Sequence, residues 1–369
     1  MRLAFAILLT VHGLIHLIGW AKAFKLADLP QLTRPIPPLI GVMWLAAAVL
    51  FLFTAGALFA WPRWWWTIGA GAIVVSMVAI VPSWANARLG ALANLIALVG
   101  VVFGLLADGW VSQRAAYERE VGRRVTPTAA AGVLTEADLA PLPVPVQRYL
   151  RATGVIGQPR VRNFRARMRG RIRERSESRW MSFTAEQHNF FDEPARLFYM
   201  DASMLLVPFQ VFHRYVGESA TMRAKVAALL PVVDMSGTEM TQAETVTLFN
   251  DMCIMAPATL VEPTIGWEVV CAHRVRARFP NAGHTIHAEL VFNGAGELVN
   301  FWSDDRRRAG PDGKTLEAIR WSTPVRDYRA FGPLRLASRG EGRWHEEGGE
   351  YAYLELELDE VEYNVRGGR

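Results

Sequence analysis

The stretch LIGVMWLAAAVLFLFTAGALFA, residues 39–60, runs 22 positions without an Asp, Glu, Lys or Arg. A helix needs about 20 apolar residues to cross the hydrocarbon core of a bilayer. Inside that core the backbone has no water to bond to, so a spanning segment must pair its own amides and carbonyls, as a helix does. Three neighbouring segments read the same way: Leu3–Trp20, Trp65–Val81 and Leu89–Leu106. The breaks between the four carry Pro30, Pro35, Pro37, Pro38, Pro62, Pro82 and Arg88. Trp20, Trp61, Trp64, Trp65, Trp66, Trp84 and Trp110 mark segment ends, where an indole prefers the headgroup layer. The short turn at Pro62–Arg63 makes the second and third segments an antiparallel hairpin. Residues 1–110 are therefore expected to form a transmembrane four-helix bundle.

Charge supports this division. Only Arg2, Lys22, Lys25, Asp28, Arg34, Arg63, Arg88 and Asp108 fall in residues 1–110, out of 40 Lys and Arg and 35 Asp and Glu in the chain. The net charge of +5 is too modest to point to a nucleic-acid or strongly acidic partner. Two cysteines, Cys253 and Cys271, exclude a disulfide framework. Arg2, the first apolar run and Ala21-Lys22-Ala23 also resemble a secretory signal, but Trp20 and Lys22 crowd the cleavage site and further spans follow. The expected location is a bacterial cytoplasmic (inner) membrane, crossed several times. With four spans both ends share a side. Arg2, Arg63, Arg114, Arg119, Arg123 and Arg124 lie on it, against Lys22, Lys25, Arg34 and Arg88 opposite. That count leans towards a cytoplasmic soluble domain without resolving its side.

Within the spans His12 and His16 stand four residues apart, on one helix face. Intramembrane ionisable residues are functional candidates. No further His, Cys or carboxylate completes a metal shell, so neutral imidazoles bonded to neighbouring helices are the simpler expectation, and neither metal nor cofactor is assigned.

Residues 111–157 read as a juxtamembrane helix and linker. Val111–Arg124 has helical spacing, Thr135–Leu139 is a short helical piece, and Pro143–Ala152 carries Val146, Tyr149 and Leu150 on one side before Gly154 stops it. Residues 158–369 form the third region, where the period changes to two. In Val161–Arg173, Phe164, Ala166, Met168, Gly170 and Ile172 alternate with Arg165, Arg167, Arg169, Arg171 and Arg173. The arginine face either meets an anionic partner such as lipid headgroups or is neutralised by acids on the adjacent strand, Glu186 among them; the second is favoured. Similar strands recur to Val365, separated by turn signals such as Asn281-Ala282-Gly283, Asn293-Gly294 and Pro311-Asp312-Gly313. Ten to twelve strands in an antiparallel meander are expected. One amphipathic helix interrupts them, opened by a capping box at Ser236-Gly-Thr-Glu239. The fold class is α+β: the membrane bundle, then a large antiparallel, half-barrel-like sheet with one covering helix.

The runs Trp180-Met-Ser-Phe-Thr-Ala-Glu-Gln, Val211-Phe-His-Arg-Tyr-Val-Gly and Val232-Val-Asp-Met-Ser-Gly-Thr-Glu-Met240 go with Pro257-Ala-Thr-Leu260, Asn300-Phe-Trp-Ser-Asp-Asp305 and Gly349-Glu-Tyr-Ala-Tyr353. Together, over about residues 140–365, they resemble an uncharacterised family of bacterial proteins defined by a domain of unknown function, some members of which carry N-terminal spans. That resemblance implies no activity. The strand order with a single helix is also similar in architecture to the half-barrel of periplasmic lipoprotein carriers. This implies an acyl chain held inside a curved sheet, and an extracytoplasmic domain, against the arginine count.

Glycine-rich phosphate loops, zinc-spaced cysteines, H-E-x-x-H and G-x-S-x-G are all missing. Glu186 and His188 share a strand face as an acid–base pair would, and Asp304 and Asp305 precede Arg306-Arg-Arg308, where local charge pairing is the simplest reading. Three functions compete. The first is a membrane-tethered protein binding a lipid or acyl chain, with Trp180, Tyr199, Trp267, Trp302 and Trp321 as binding residues and the bilayer as partner. The second is a non-catalytic assembly module, using the sheet edge or the face of Arg165, Arg167, Arg169 and Arg171. The third is an enzyme acting on a membrane-embedded substrate.

Overall fold

A computed structural model describes residues 2–29, 33–125, 132–204, 207–310, 312 and 315–366. The loop at Pro30, residues 126–131 of the expected linker and the turn residues Pro311 and Gly313 lie outside the described residues. The chain divides into two units, Met1–Ala116 with Ala227–Leu229, and Tyr117–Val226 with Leu230–Arg369.

The first unit holds α1 (Arg2–Ala23), α2 (Pro38–Ala60), α3 (Trp65–Ile80) and α4 (Trp84–Asp108). Three stretches are long and apolar enough to cross a membrane: Arg2–Ala23, Pro38–Ala60 and Trp65–Arg124. The third is where the sequence suggests two separate spans. A 3₁₀ turn at Val81–Ser83, containing Pro82, interrupts it, because proline removes a helical N–H and crowds the preceding turn. The chain then reverses. A side chain at Gly104, near the end of α4, would strike the Trp65 ring at the start of α3, and one at Gly90, near the start of α4, would strike Ile80 at the end of α3. At a rise of about 1.5 Å per residue, the 16 residues of α3 reach roughly 24 Å, less than a full hydrocarbon core. Leu9, Phe51, Ala55, Trp65, Ala72 and Val101 form a core shared by all four helices. On the outside Leu3, Val49, Val74 and Leu89 are each more than half exposed. Helices apolar on every side belong in a nonpolar surround.

Helix α5 (Gln113–Arg124) begins in the first unit and ends in the second, which continues with α6 (Glu136–Leu139) and α7 (Val144–Thr153). The α6 turn is opened by a reciprocal bond between Thr135 and Asp138, and Gly154, at φ 76°, closes α7 in a left-handed conformation suited to glycine. Six strands follow: β1 (Asn163–Ile172), β2 (Met181–Phe190), β3 (Ala195–Met204), β4 (Val207–Val216), β5 (Ser219–Val226) and β6 (Leu230–Ser236). After them come α8 (Thr238–Met255), β7 (Gly266–Cys271), β8 (Arg274–Asn281), β9 (His284–Phe292) and β10 (Leu298–Ser303). The chain ends with β11 (Arg307–Ala309), β12 (Leu316–Ala318), β13 (Arg320–Ser322), β14 (Val325–Phe331), β15 (Leu334–Glu346) and β16 (Gly349–Tyr363).

The main sheet has 14 strands in the order β6-β5-β4-β3-β2-β1-β16-β15-β13-β10-β9-β8-β7, with β14 added on β15, while β11 and β12 form a separate pair. The expected single meander is in fact two meanders fused at their middle, where β1 lies antiparallel to β16. The outermost strands, β6 and β7, are joined through α8, so that helix travels from one edge of the sheet to the other over one face. Two strands of the main sheet are not announced by the sequence. Pro231 in β6 looks like a strand breaker, but β6 is an edge strand bonded only to β5, where the missing N–H is harmless. The charged β14 pairs only with β15.

α8 departs from expectation in two ways. Ser236 ends β6, and the helix starts after Gly237, at φ 100°, with no side-chain cap, so the capping box does not form. Nor is it amphipathic: 14 of its 18 residues are buried, including Glu244, Thr245, Thr247, Asn250 and Asp251. A helix wrapped on all sides belongs to a core. It is met from both halves of the sheet, with Phe249 stacked on Phe279 of β8 at 4.9 Å and the Thr245 hydroxyl 2.8 Å from that of Tyr215 on β4.

Candidate ligand cavity

A cavity of about 910 Å³ lies between α8 and the sheet face it crosses. Alternation puts Phe183 and Gln187 of β2, Arg196, Phe198 and Met200 of β3, and Val211 and His213 of β4 on its wall. Met240, Glu244, Asn250, Asp251 and Ile254 of α8 supply the facing wall. Met168, Met181, Met200, Met222, Met235, Met240 and Met255 all line it, seven of the 12 methionines in the chain. Unbranched thioethers adapt to irregular apolar shapes, so such a wall tolerates varied occupants. Arg175 and Glu177, between β1 and β2, and Val232 of β6 are exposed lining residues, and the cavity reaches the surface there.

One charged cluster is set into this wall. The Arg196 guanidinium donates to Asp251 at 2.7 Å and to Glu244 at 2.9 Å. Asp251 also accepts from Gln187 at 2.6 Å and Asn189 at 3.0 Å, and Glu244 faces His213 Nδ1 at 2.8 Å. Burial alone would push Glu244 up, but His213 and Arg196 outweigh it and hold the carboxyl well below its ordinary range. For Asp251 burial wins, and its carboxyl is raised despite Arg196. Burial pulls the Arg196 guanidinium down, and its two carboxylates more than reverse that. The sequence around Arg196 and His213 carries no sign of this cluster. Glu244 and Asp251 are seven positions apart, two helical turns, and that spacing of acids inside an apolar stripe is the only local sign.

The candidate residues that the sequence offers scatter. Of the five aromatics, Trp321 lines the cavity, its Nε1 donating to Tyr353 Oη at 3.2 Å. Tyr199 is buried on the opposite sheet face beside Tyr117, donating to Asp201 at 2.8 Å. Trp180 lies between Arg171 and Arg173, and Trp302 under Arg320. Trp267 packs near Phe249. Those four lie off the cavity wall. Glu186 and His188 also face away from it: Glu186 accepts from Arg165 at 2.7 Å, and His188 Nδ1 lies 2.7 Å from the Tyr117 hydroxyl. Burial brings the His188 imidazole down to about 4.

The arginine face finds its carboxylates inside the chain. Arg165 pairs with Glu186 and Glu362, Arg167 with Glu360, Arg169 with Glu357 and Asp359, and Arg171 with Glu355. Five of these six carboxylates come from β16, far along the sequence, so the surface is a ladder of ion pairs and not an open cationic patch. Among the membrane-type helices, His12 Nε2 meets Asn94 Oδ1 at 2.9 Å, Asn94 donates to Ser76 at 2.9 Å, Ser76 meets His16 Nε2 at 2.7 Å, and His16 Nδ1 returns to the His12 carbonyl at 2.8 Å. With both imidazoles neutral, each of these four bonds has one proton and one acceptor. Among the described residues no three His, Cys, Asp or Glu side chains gather as a metal site would require. Cys253 and Cys271 are both free thiols.

Residues 132–356 match the sequence profile of a family of unknown function, DUF6544. The chain belongs to this family. All the residues lining the cavity except Leu358 fall within the DUF6544 segment. No curated protein matches the chain. Among solved structures it is distantly similar to a putative outer membrane lipoprotein-sorting protein domain from Vibrio parahaemolyticus, at 8% identity over 55% of this chain and 85% of that one, TM-score 0.32. A LolA superfamily protein from Nitrosomonas europaea is 6% identical over 63% of this chain and 94% of its own, TM-score 0.32. A DUF1329 family protein from Desulfovibrio piger is 9% identical over 56% and 88%, TM-score 0.30. At such scores the likeness says nothing of activity.

Proposed function

We propose that this DUF6544 protein is a membrane-anchored binder of a hydrophobic ligand, held in the cavity between α8 and the sheet. The carrying observation is the cavity itself. Its volume of about 910 Å³ falls in the upper part of the roughly 300–1,000 Å³ range of small-molecule sites. Its wall is largely apolar, as such sites are, with charged and polar side chains set among the apolar ones. The sheet acts as a half-barrel and α8 as its cover. Helices α1 to α4 act as four spans in a bacterial cytoplasmic membrane, α3 and α4 as a hairpin. Trp321 remains a ligand contact, whereas Trp180, Tyr199, Trp267 and Trp302 serve the packing.

Native mass spectrometry of full-length protein extracted in mild detergent tests this. A lipid or fatty-acid adduct is expected on the wild type, and less of it on Met200→Trp with Met222→Trp, which fills the cavity. Equal adduct on both proteins, or none on the wild type, would overturn the reading.

A further inference from the structure

The Arg306-Arg307-Arg308 triplet lies on the cavity wall. In sequence, the preceding Asp304 and Asp305 look like its partners. The structure sends them elsewhere. Asp304 accepts two bonds from Arg320, at 2.7 and 2.8 Å, and Asp305 accepts the backbone N–H of His287 at 2.7 Å. Arg308 is satisfied by Glu317, Glu346 and the Tyr351 hydroxyl. Arg306 is not. Its Nη1 donates to the Arg307 carbonyl at 2.7 Å, while its Nε is buried with no acceptor. The Nε of Arg307 is buried and unmet as well. Among the described residues neither arginine enters an ion pair.

The Arg306 guanidinium is nevertheless held in place. It lies over the Trp321 ring at 5.5 Å and near the Trp344 ring at 5.9 Å, and both rings line the cavity. The carboxylate that senses its charge, Glu244, is already engaged by Arg196 and His213. A buried guanidinium donor without an acceptor is costly to leave. A planar guanidinium fixed against aromatic rings is well arranged to grip an oxyanion with two parallel bonds.

Building on the hydrophobic-ligand reading above, we infer that Arg306, with Arg307 beside it, anchors the head of an anionic amphiphile. The head is a carboxylate or phosphate monoester, and the single apolar tail lies along the methionine-lined wall.

Native mass spectrometry of the full-length protein in detergent, titrated with oleic acid, methyl oleate, oleoyl lysophosphatidic acid and inorganic phosphate, provides the test. Oleic acid or the lysophosphatidic acid is expected to bind about tenfold or more tightly than methyl oleate, the effect of a charge-assisted bond. The ratio of the two acids identifies the head. Arg306→Gln should bring the acids to the level of the ester and leave the ester unchanged. Arg306→Lys should keep part of the preference. If acid and ester bind the wild type equally, or Arg306→Gln keeps the preference, the anchor falls and the apolar cavity stands. If no lipid probe binds at all, the cavity reading falls with it. Phosphate binding that depends on Arg306 without any lipid preference would make this a free-phosphate site and overturn the amphiphile. Should Arg306→Gln lose the ester too, its fold is damaged; Arg306→Lys then decides, and loss of acid preference there with ester binding intact sinks the proposal.

Discussion

At the residue scale, polar groups placed where water cannot reach set the sharpest expectations. His188 is 5% exposed, and burial lowers its imidazole from 6.5 to about 4. A folded-state value below the unfolded one means that the unfolded chain takes up the proton first as pH falls. The stability this group contributes is therefore complete above about pH 6.5 and is lost as pH falls through about 4. A shift of that size corresponds to roughly 3 kcal/mol at most. Unfolding of wild type and His188→Asn, followed by circular dichroism between pH 7.5 and 4.5, should show the wild type losing about 2–3 kcal/mol more than the variant; parallel profiles would refute the assignment. The Arg196 cluster makes a different demand. Arg196→Met strands Glu244 and Asp251 as buried charges and should destabilise by about 3–5 kcal/mol. The triple variant with Glu244→Leu and Asp251→Leu should recover most of that in denaturant titrations. A triple variant no more stable than the single would show that the cluster is needed for packing and not merely for charge balance.

At the element scale, β1 and β16 show what local pattern can and cannot reveal. The alternation in Val161–Arg173 identifies β1 and its two faces from the sequence, because a period of two is a local property. Its partner is not local. Arg165 and Glu362 are separated by 197 positions, and nothing near either one names the other. The same limit explains α8. Its length and start region are legible, but the burial of Glu244 and Asp251 depends on Arg196 from β3, so the cavity's charged wall was invisible, as was the loneliness of Arg306. Aromatic residues misled for a related reason, since a ring in a strand fills a core as readily as it lines a cavity. Close backbone approach makes one further expectation at this scale. A Cβ at Gly170 of β1 would come within 2.0 Å of the Glu355 carbonyl oxygen on β16 and 2.9 Å of the Phe183 ring. Gly170→Ala should therefore loosen the β1–β16 seam and cost about 1–3 kcal/mol, whereas Gly217→Ala, in an open turn, should disturb no neighbour. Amide hydrogen exchange across β1 and β16 would report it, and unchanged protection would count against so tight a seam.

At the scale of the whole molecule, the two units should differ in what solvent they tolerate. The full chain should sediment with membranes and need detergent for extraction, while a chain beginning at residue 117 should remain in the supernatant after ultracentrifugation. Detergent-free solubility of the full chain would contradict the reading of α1, α2 and the Trp65–Arg124 run as spans. The seam at the centre of the sheet also bears on how the protein is made. A nascent chain emerges from the ribosome in order, so β1 is exposed long before β16, its central neighbour, has been synthesised. For that interval one side of β1 has no ladder partner and its arginines have no ladder of acids. Contacts between such distant parts of a chain form slowly. The second half of the sheet therefore cannot be locked to the first until β16 itself has emerged, and until then the nascent chain should be a client for chaperones that shield open strand edges.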